Sequence, residues 1–214
     1  MRKSNQYTII IPTMYFHNTT LETMLLKYEQ CPYVKEVLIV NNNASGKVDF
    51  NFSKVRVIGI GLNLYVNPSW KFGIKMAATE NIVLANDDIL IEGNLKELFV
   101  EVSKINLNNA VVGSSLHCYK EKGLSIGKIR VSPYNALKMS HGFGTFMILT
   151  KKSFRKVYIP KEIKVWYGDM IMFDQLTTYV FEGLEIITKF AGTSSKVNLK
   201  GFARKEKLIY EQLQ

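Results

Sequence analysis

Four short apolar runs set the rhythm of this chain: Thr8-Ile9-Ile10-Ile11, Val37-Leu38-Ile39-Val40, Val55-Arg56-Val57-Ile58 and Ile82-Val83-Leu84-Ala85. Continuous β-branched runs of this length read as strands covered on both faces, and strands of that kind belong to parallel sheets. Between the first two lies Thr19-Thr20, a capping pair, followed by Leu21, Met24, Leu25 and Tyr28 at helical spacing. Pro68-Ser69 opens a second helix through Ala78, and Leu95 to Ile105 reads as a third. Strands alternating with helices call for an α/β fold with a mostly parallel central sheet and right-handed crossovers.

After Ala110-Val111-Val112-Gly113 the regularity weakens. Pro12 is expected to stop the first strand. Tyr119 to Lys138, with Gly123, Gly127 and Pro133 among lysines, reads as a loop or an extra hairpin. A strand returns over Gly144–Leu149, Ile171 to Phe181 is expected to be helical, and Arg204 to Leu213 reads as a short polar helix. No internal repeat or linker interrupts the 214 residues, so one domain is expected. The two cysteines, Cys31 and Cys118, form no disulfide framework or zinc spacing and point to a reducing compartment. No apolar run approaches the roughly 20 residues needed to span a bilayer, which makes a soluble cytoplasmic protein the expectation.

Charge is unevenly spread. The chain carries 28 Lys and Arg against 18 Asp and Glu, a net charge of +10. From Leu116 to Lys164 there are eleven basic residues and only Glu121 and Glu162 on the acidic side, whereas the rest of the chain is nearly neutral. Such segregation points to an anionic partner, nucleic acid or a membrane face, although solvated lysines also serve solubility.

Several chemistries are excluded. Gly59-Ile60-Gly61 follows a strand, but the third glycine of a dinucleotide fingerprint would fall at Leu64. No P-loop lysine motif or nucleophile elbow occurs, and His17, His117 and His141 are too scattered in sequence to suggest a metal cluster. What stands out is Asn86-Asp87-Asp88, two adjacent carboxylates at the end of a buried strand. Asn and Asp are ordinary turn residues, yet the carboxyl ends of such strands are where open α/β sheets bind ligands.

Read in order, Ile9-Ile10-Ile11-Pro12-Thr13, Glu36-Val37-Leu38-Ile39-Val40-Asn41-Asn42, Ser69-Trp70-Lys71-Phe72-Gly73-Ile74 and Leu84-Ala85-Asn86-Asp87-Asp88 resemble the nucleotide-sugar half of GT-A-type glycosyltransferases of the family-two kind. Gly142-Phe143-Gly144-Thr145-Phe146 is similar to the family's glycine-rich acceptor-side strand, and Trp166-Tyr167-Gly168-Asp169 to the motif carrying the catalytic base. The resemblance covers roughly residues 7 to 180. It implies a single GT-A (Rossmann-like) domain, with a nucleotide-sugar-binding half over 1–92 and an acceptor-binding half over 93–214.

The resemblance also implies roles. Pro12, Thr13, Asn41 and Asn42 would line a base and ribose pocket, where amides can pair with a uracil edge or with other bases. Trp70, Lys71, Asn86 and Asp87 complete the donor side. Asp88 is the favoured metal ligand, and hard oxygen ligands imply Mn²⁺ or Mg²⁺. Asp169 is the expected general base of an inverting displacement, and it also fits a helix cap ahead of Met170. Lys120, Lys122, Arg130, His141, Gly142, Phe143, Trp166 and Tyr167 are the acceptor-side candidates. Three departures stand against the pattern: Lys71 where Asn is common, Asn86 in place of a charged residue, and no His after His141. The Gly192-Thr193-Ser194-Ser195 run resembles the neighbourhood of that missing His.

The basic segment overlaps the acceptor half and interleaves Tyr119, Tyr134, Phe143, Phe146, Phe154 and Tyr158 with lysines, a composition suited to phosphates and exposed bases. The favoured acceptor on sequence grounds is therefore a hydroxymethylated base in DNA, as in phage DNA modification. The second reading is an envelope polysaccharide or lipid-linked saccharide, with peripheral membrane contact through the same lysines. A third is a non-catalytic nucleic-acid-binding protein on this fold.

Overall fold

The computed structural model describes residues 5–15, 18–43, 50–119, 126–188 and 199–214. The expected alternation is present in the first half: β1 (Tyr7–Thr13), α1 (Asn18–Gln30), β2 (Val34–Asn41), β3 (Val55–Ile58), α2 (Val66–Met76) and β4 (Asn81–Ala85). These four strands pair in parallel in the order β3-β2-β1-β4, with Ile9 opposite both Val37 and Val83. Because β1 lies inside the sheet, its alternate residues feed two separate cores. Ile9 and Ile11 pack with Leu21, Met24, Leu25 and Tyr28 of α1, while Ile10 packs on the opposite face with Trp70 and Ile74 of α2. Each such fully buried aliphatic side chain stabilises the fold by about 1.5–3 kcal/mol, which is why the runs are continuous rather than alternating.

The same sheet continues through the second half: β5 (Ile89–Glu92), α3 (Leu95–Val102), β6 (Ala110–Ser114), β7 (Arg130–Pro133), β8 (Phe146–Thr150), α4 (Lys151–Phe154), α5 (Gly168–Gln175), β9 (Thr177–Glu182), β10 (Glu185–Thr188) and α6 (Lys200–Glu211). β8 joins β4 and β6 antiparallel, β9 lies parallel to β6, and β7 closes the edge antiparallel to β9. The result is one eight-stranded sheet, parallel over β3-β2-β1-β4 and mixed beyond. β5 and β10 form a separate antiparallel ribbon.

Four expectations change. Pro12 does not end β1; the β4 pairing stops at Ile10, and beyond it a strand with one open side tolerates a residue without an N–H. The helix expected over 171–181 breaks at Leu176, because Thr177-Thr178-Tyr179-Val180-Phe181 is β-branched and aromatic and forms β9. Gly144 and Thr145 belong to a 3₁₀ turn before β8, and residues 130–133 of the expected loop or hairpin are an edge strand. Cys31 and Cys118 are buried and free. Among the described residues no helix is long and apolar enough to cross a membrane.

Candidate active site

A cleft of about 910 Å³ opens where β1 and β4 end, lined by residues of both halves of the chain. On one side stand Pro12, Thr13, Asn42, Tyr65, Trp70, Asn86, Asp87 and Asp88; on the other, His141, Gly142, Gly144, Trp166, Tyr167 and Asp169.

The Asp87-Asp88 pair occupies a tight turn between β4 and β5. The buried Asp87 carboxylate accepts a 2.5 Å hydrogen bond from Thr13 Oγ1, tying the end of β4 to the end of β1. Asp88, the next residue, is half-buried at the cleft wall. Asn42 also lines the cleft, but its amide is committed: Oδ1 accepts from Leu64 N at 3.0 Å and Ser69 Oγ at 3.1 Å, and Nδ2 donates to Tyr65 O at 3.3 Å. Its work is to fix the Leu64–Tyr65 corner. That corner needs fixing because Tyr65 has φ +64°, a left-handed conformation that costs about 1–3 kcal/mol in a non-glycine residue.

Asp169 lies in the first turn of α5, with its Oδ1 accepting from Met170 N at 3.0 Å. Burial pushes its carboxyl above the ordinary carboxylate range, while backbone N–H bonds pull it part of the way back. The second half of the glycine-rich stretch has a specific reason in this contact: a Cβ on Gly144 would fall 2.7 Å from Asp169 Cγ. The same turn reaches the other carboxylates, since Thr145 O accepts the Asn86 N–H at 3.0 Å. It is held from behind by Tyr119, whose hydroxyl donates to Gly142 O at 2.7 Å.

Asp169 is aimed by the loop before it. Buried Asn67 on α2 donates through Nδ2 to Ile163 O at 3.3 Å and Trp166 O at 3.2 Å, and Gly168 is required beside it, because a Cβ there would meet the Asn67 amide. Tyr167 is left-handed at φ +63° and stacks on Tyr210 of α6 at 5.0 Å and 21°. Tyr210 Oη in turn donates to Asp174 at 2.8 Å. Strain at two cleft-lining tyrosines is the kind that persists where surrounding structure enforces it, and it concentrates at working sites.

Twelve of the candidates read from sequence thus meet around one cleft. Others fall elsewhere. Asn41, at the end of β2, accepts from Asn43 N rather than lining the cleft. Lys71 points away: its Nζ donates to Ile159 O at 3.0 Å, so the residue expected on the donor side makes a structural contact instead. Phe143 is fully buried and packs edge-on against Phe173. Arg130 sits on the edge strand near Glu182 at 3.9 Å. Lys120, Lys122 and the Gly192–Ser195 run lie outside the described residues.

Among the described residues, most of the basic segment does not gather at the cleft either. Lys151 Nζ donates to Ala77 O at 2.5 Å, Arg155 approaches Glu80 at 4.0 Å, and Lys156 caps Asn108 and Asn109, all at the opposite end of the sheet. Lys138 lines the cleft and Lys164 stands 5.4 Å over the Tyr65 ring at its rim. Of the interleaved aromatics, Phe143, Phe146 and Phe154 are core. Among the described residues, the charged side chains that line the cleft are Asp87, Asp88, Asp169 and Asp174 against Lys138.

Sequence reasoning missed Tyr65, Asn67, Asp174, Glu206 and Tyr210. The Tyr-Val-Asn-Pro stretch that opens α2 was a signal for the first two, since a Pro in the first turn marks a helix entry. The residues of α6 had no local signal. Carboxylate oxygens of the Asp87-Asp88 kind are the chemistry a hard divalent ion takes, while the described residues hold no cluster of three or more His, Cys, Asp or Glu.

No protein-family model matches the chain, and no curated protein matches it. Solved structures do. GalNAc-T7, crystallised with UDP, GalNAc and Mn²⁺, superposes with a TM-score of 0.60 at 11% identity, over 87% of this chain and 44% of that one. S. aureus TarS 1-349 in complex with UDP gives 0.57 at 16% identity over 82% of this chain and 57% of that one, and a second TarS structure gives 0.53, covering 35% of that chain. The chain therefore spans about half or less of the length of these neighbours, and what it shares with them is the GT-A fold.

Proposed function

We propose that the chain is an inverting glycosyltransferase of the family-two kind that takes a UDP-sugar and passes the sugar to a hydroxyl of a saccharide acceptor, polymeric or lipid-linked. The observation that carries this is the meeting of Asp87-Asp88 and Asp169 across one cleft on a GT-A fold. The UDP bound to GalNAc-T7 and TarS supports the choice of nucleotide. Residues 1–92 supply the donor side and residues 93–214 most of the acceptor side, within one domain.

In this reading Pro12, Thr13 and Asn42 wall the nucleoside pocket, and Thr13 orients Asp87 through their hydrogen bond. Asp88, with Asp87, would hold Mn²⁺ or Mg²⁺, which when bound neutralises diphosphate charge and eases its departure. Asp169 takes the proton of the acceptor hydroxyl as its oxygen bonds to the anomeric carbon and the bond to diphosphate breaks, releasing UDP. Burial, which lifts the Asp169 carboxyl, makes it a stronger base than an exposed aspartate. His141, Gly142, Trp166 and Tyr167 wall the acceptor side, where aromatic faces suit sugar rings.

The acceptor reading moves away from DNA. A polyanion entering a cleft whose described lining carries four aspartates and one lysine meets repulsion, and Lys151, Arg155 and Lys156 make their contacts at the far end of the sheet. The test is UDP release from a panel of UDP-hexoses and UDP-N-acetylhexosamines with Mn²⁺ or Mg²⁺, with neutral saccharides, lipid-linked saccharides or hydroxymethylated duplex DNA added. Stimulation by saccharide is expected. Salt-sensitive stimulation by DNA would reverse the acceptor choice, and absence of UDP-sugar binding would overturn the whole reading, leaving a non-catalytic protein on this fold.

A further inference from the structure

The carboxylate of Glu206 is 0% exposed, yet its partners are neither a lysine nor an arginine. Oε1 accepts from Lys164 N at 3.0 Å and Val165 N at 3.2 Å, and Oε2 accepts from Val165 N at 3.2 Å and Trp166 N at 2.7 Å. Three successive backbone donors of the loop that ends at Asp169 thus converge on one side chain from 40 residues away. A buried carboxylate is costly to desolvate, and a shell of backbone N–H groups is what makes it tolerable. A loop that only needed an anchor would be served by an apolar contact; a loop whose three N–H groups are fixed in direction has its exit angle defined.

The rest of α6 presses in the same direction. Tyr210, one turn on, stacks on Tyr167, and Phe202, one turn before, packs 5.0 Å from Tyr65 across the cleft mouth. Gln214 joins Tyr210 on Asp174, at 2.9 Å. Phe202, Glu206 and Tyr210 share the spacing of one helix face, so a single helix grips Tyr65, Tyr167 and the Lys164–Trp166 peptide, with Gln214 just past its end.

We infer that Glu206 is a positioning residue: it sets the Trp166–Tyr167–Gly168 path so that the Asp169 carboxylate is held against Gly144 at the cleft wall. The inference rests on the transferase reading for its kinetic consequence only. Asp169 depends on it because a misplacement of about 1 Å costs on the order of 100-fold in rate.

The experiment compares wild type, Glu206→Ala, Glu206→Gln and the outward-facing Lys207→Ala, each in two measurements. In turnover with UDP-sugar and saccharide, Glu206→Ala is expected to lower kcat by roughly 10–100-fold with the donor KM within about twofold. Glu206→Gln, which keeps one acceptor oxygen, is expected to recover part of that loss, and Lys207→Ala to match wild type. In ¹³C-carboxyl aspartate spectra, Asp169 is expected to titrate lower in Glu206→Ala than in wild type, because a loosened loop wets it. Unchanged kcat and unchanged Asp169 titration in a folded Glu206→Ala protein, or in Glu206→Gln should the alanine variant not fold, would reduce Glu206 to a stability element and overturn the proposal. Should wild type prove inactive with every donor, the transferase reading fails while the Asp169 titration still decides the positioning role.

Discussion

Strand β4 has charged residues at both ends, and the two ends behave in opposite ways. At its amino end Glu80 receives the Lys152 N–H at 2.8 Å and faces Arg155, while Lys151 caps a helix carbonyl nearby. Glu80, Lys151 and Arg155 there each meet a neighbour, and among the described residues of that end no non-glycine backbone is left-handed. At its carboxyl end, Asp87 and Asp88 share a cleft with Asp169 and Asp174, flanked by two tyrosines held at positive φ. Like charges collected across a cleft cost stability, as does left-handed tyrosine, and natural sequences keep such arrangements where a ligand is to be met. The comparison teaches that a charge run along the chain is not a charged face. The basic segment 116–164 looked like a partner surface in sequence, but folding sends its densest part to the quiet end.

The sharpest test of the contrast is Asp169→Asn. In the general-base role proposed for it, Asp169 would contribute on the order of 10²–10⁴-fold to turnover, so kcat should fall by that much while UDP-sugar affinity holds. Its stability effect has the opposite sign. A carboxyl lifted by burial binds its proton more tightly folded than unfolded, so the folded protein loses stability as pH rises from the ordinary carboxylate range through the raised value. At neutral pH the uncharged amide escapes that cost. Melting temperature should rise by about 2–4 °C, equivalent to roughly 1 kcal/mol in a chain of this size. A fall in both activity and melting temperature would break the picture of a strained working end.

Next in size is Gly144→Ala, which drives a methyl group into the Asp169 carboxylate. Loss of turnover of roughly 10²-fold is expected with donor binding kept, read from separate kcat and KM values. Asp88→Ala should act on the other side, weakening UDP-sugar binding by about tenfold with Mn²⁺ present and little in its absence, as titration calorimetry would report.

How much of this was legible beforehand follows from distance along the chain. The parallel half was readable because the runs of β1, β2 and β4 are buried on both faces by local composition, although the edge strand β3 is only partly buried, and Asn86-Asp87-Asp88 was readable because its position at a strand end is local too. The Gly144–Asp169 contact was visible only as two separate motifs; their meeting is a product of α5 packing against the 3₁₀ turn that precedes β8. β9 was misread as helix because Ile171, Met172 and Phe173 ran on into apolar residues, and the change to Thr177-Thr178 was the overlooked stop. Glu206 stands among Arg204, Lys205 and Lys207 and has the local signature of a solvent-facing helix position. Nothing within ten residues of it announces the loop it caps. The destination of Lys151 and Lys156 was hidden for the same reason, since their carbonyl partners at Ala77 and Asn108 come from other elements.

The smallest expected effect is the one that tests the comparison from its quiet side. Reversing Lys152 and Arg155 together to Glu changes the local charge by four units at exposed positions far from the cleft. If the cleft end alone meets substrate, transfer to a neutral saccharide should stay within about twofold at moderate salt, because screening extinguishes exposed charges beyond roughly 10 Å. Stability should drop by no more than about 1 kcal/mol, since the pair it disturbs is an exposed ion contact of low worth. Selective loss of transfer, steep in salt and confined to anionic acceptors, would mean that the amino end of β4 is a docking face after all, and the charge run would regain the meaning it had in sequence.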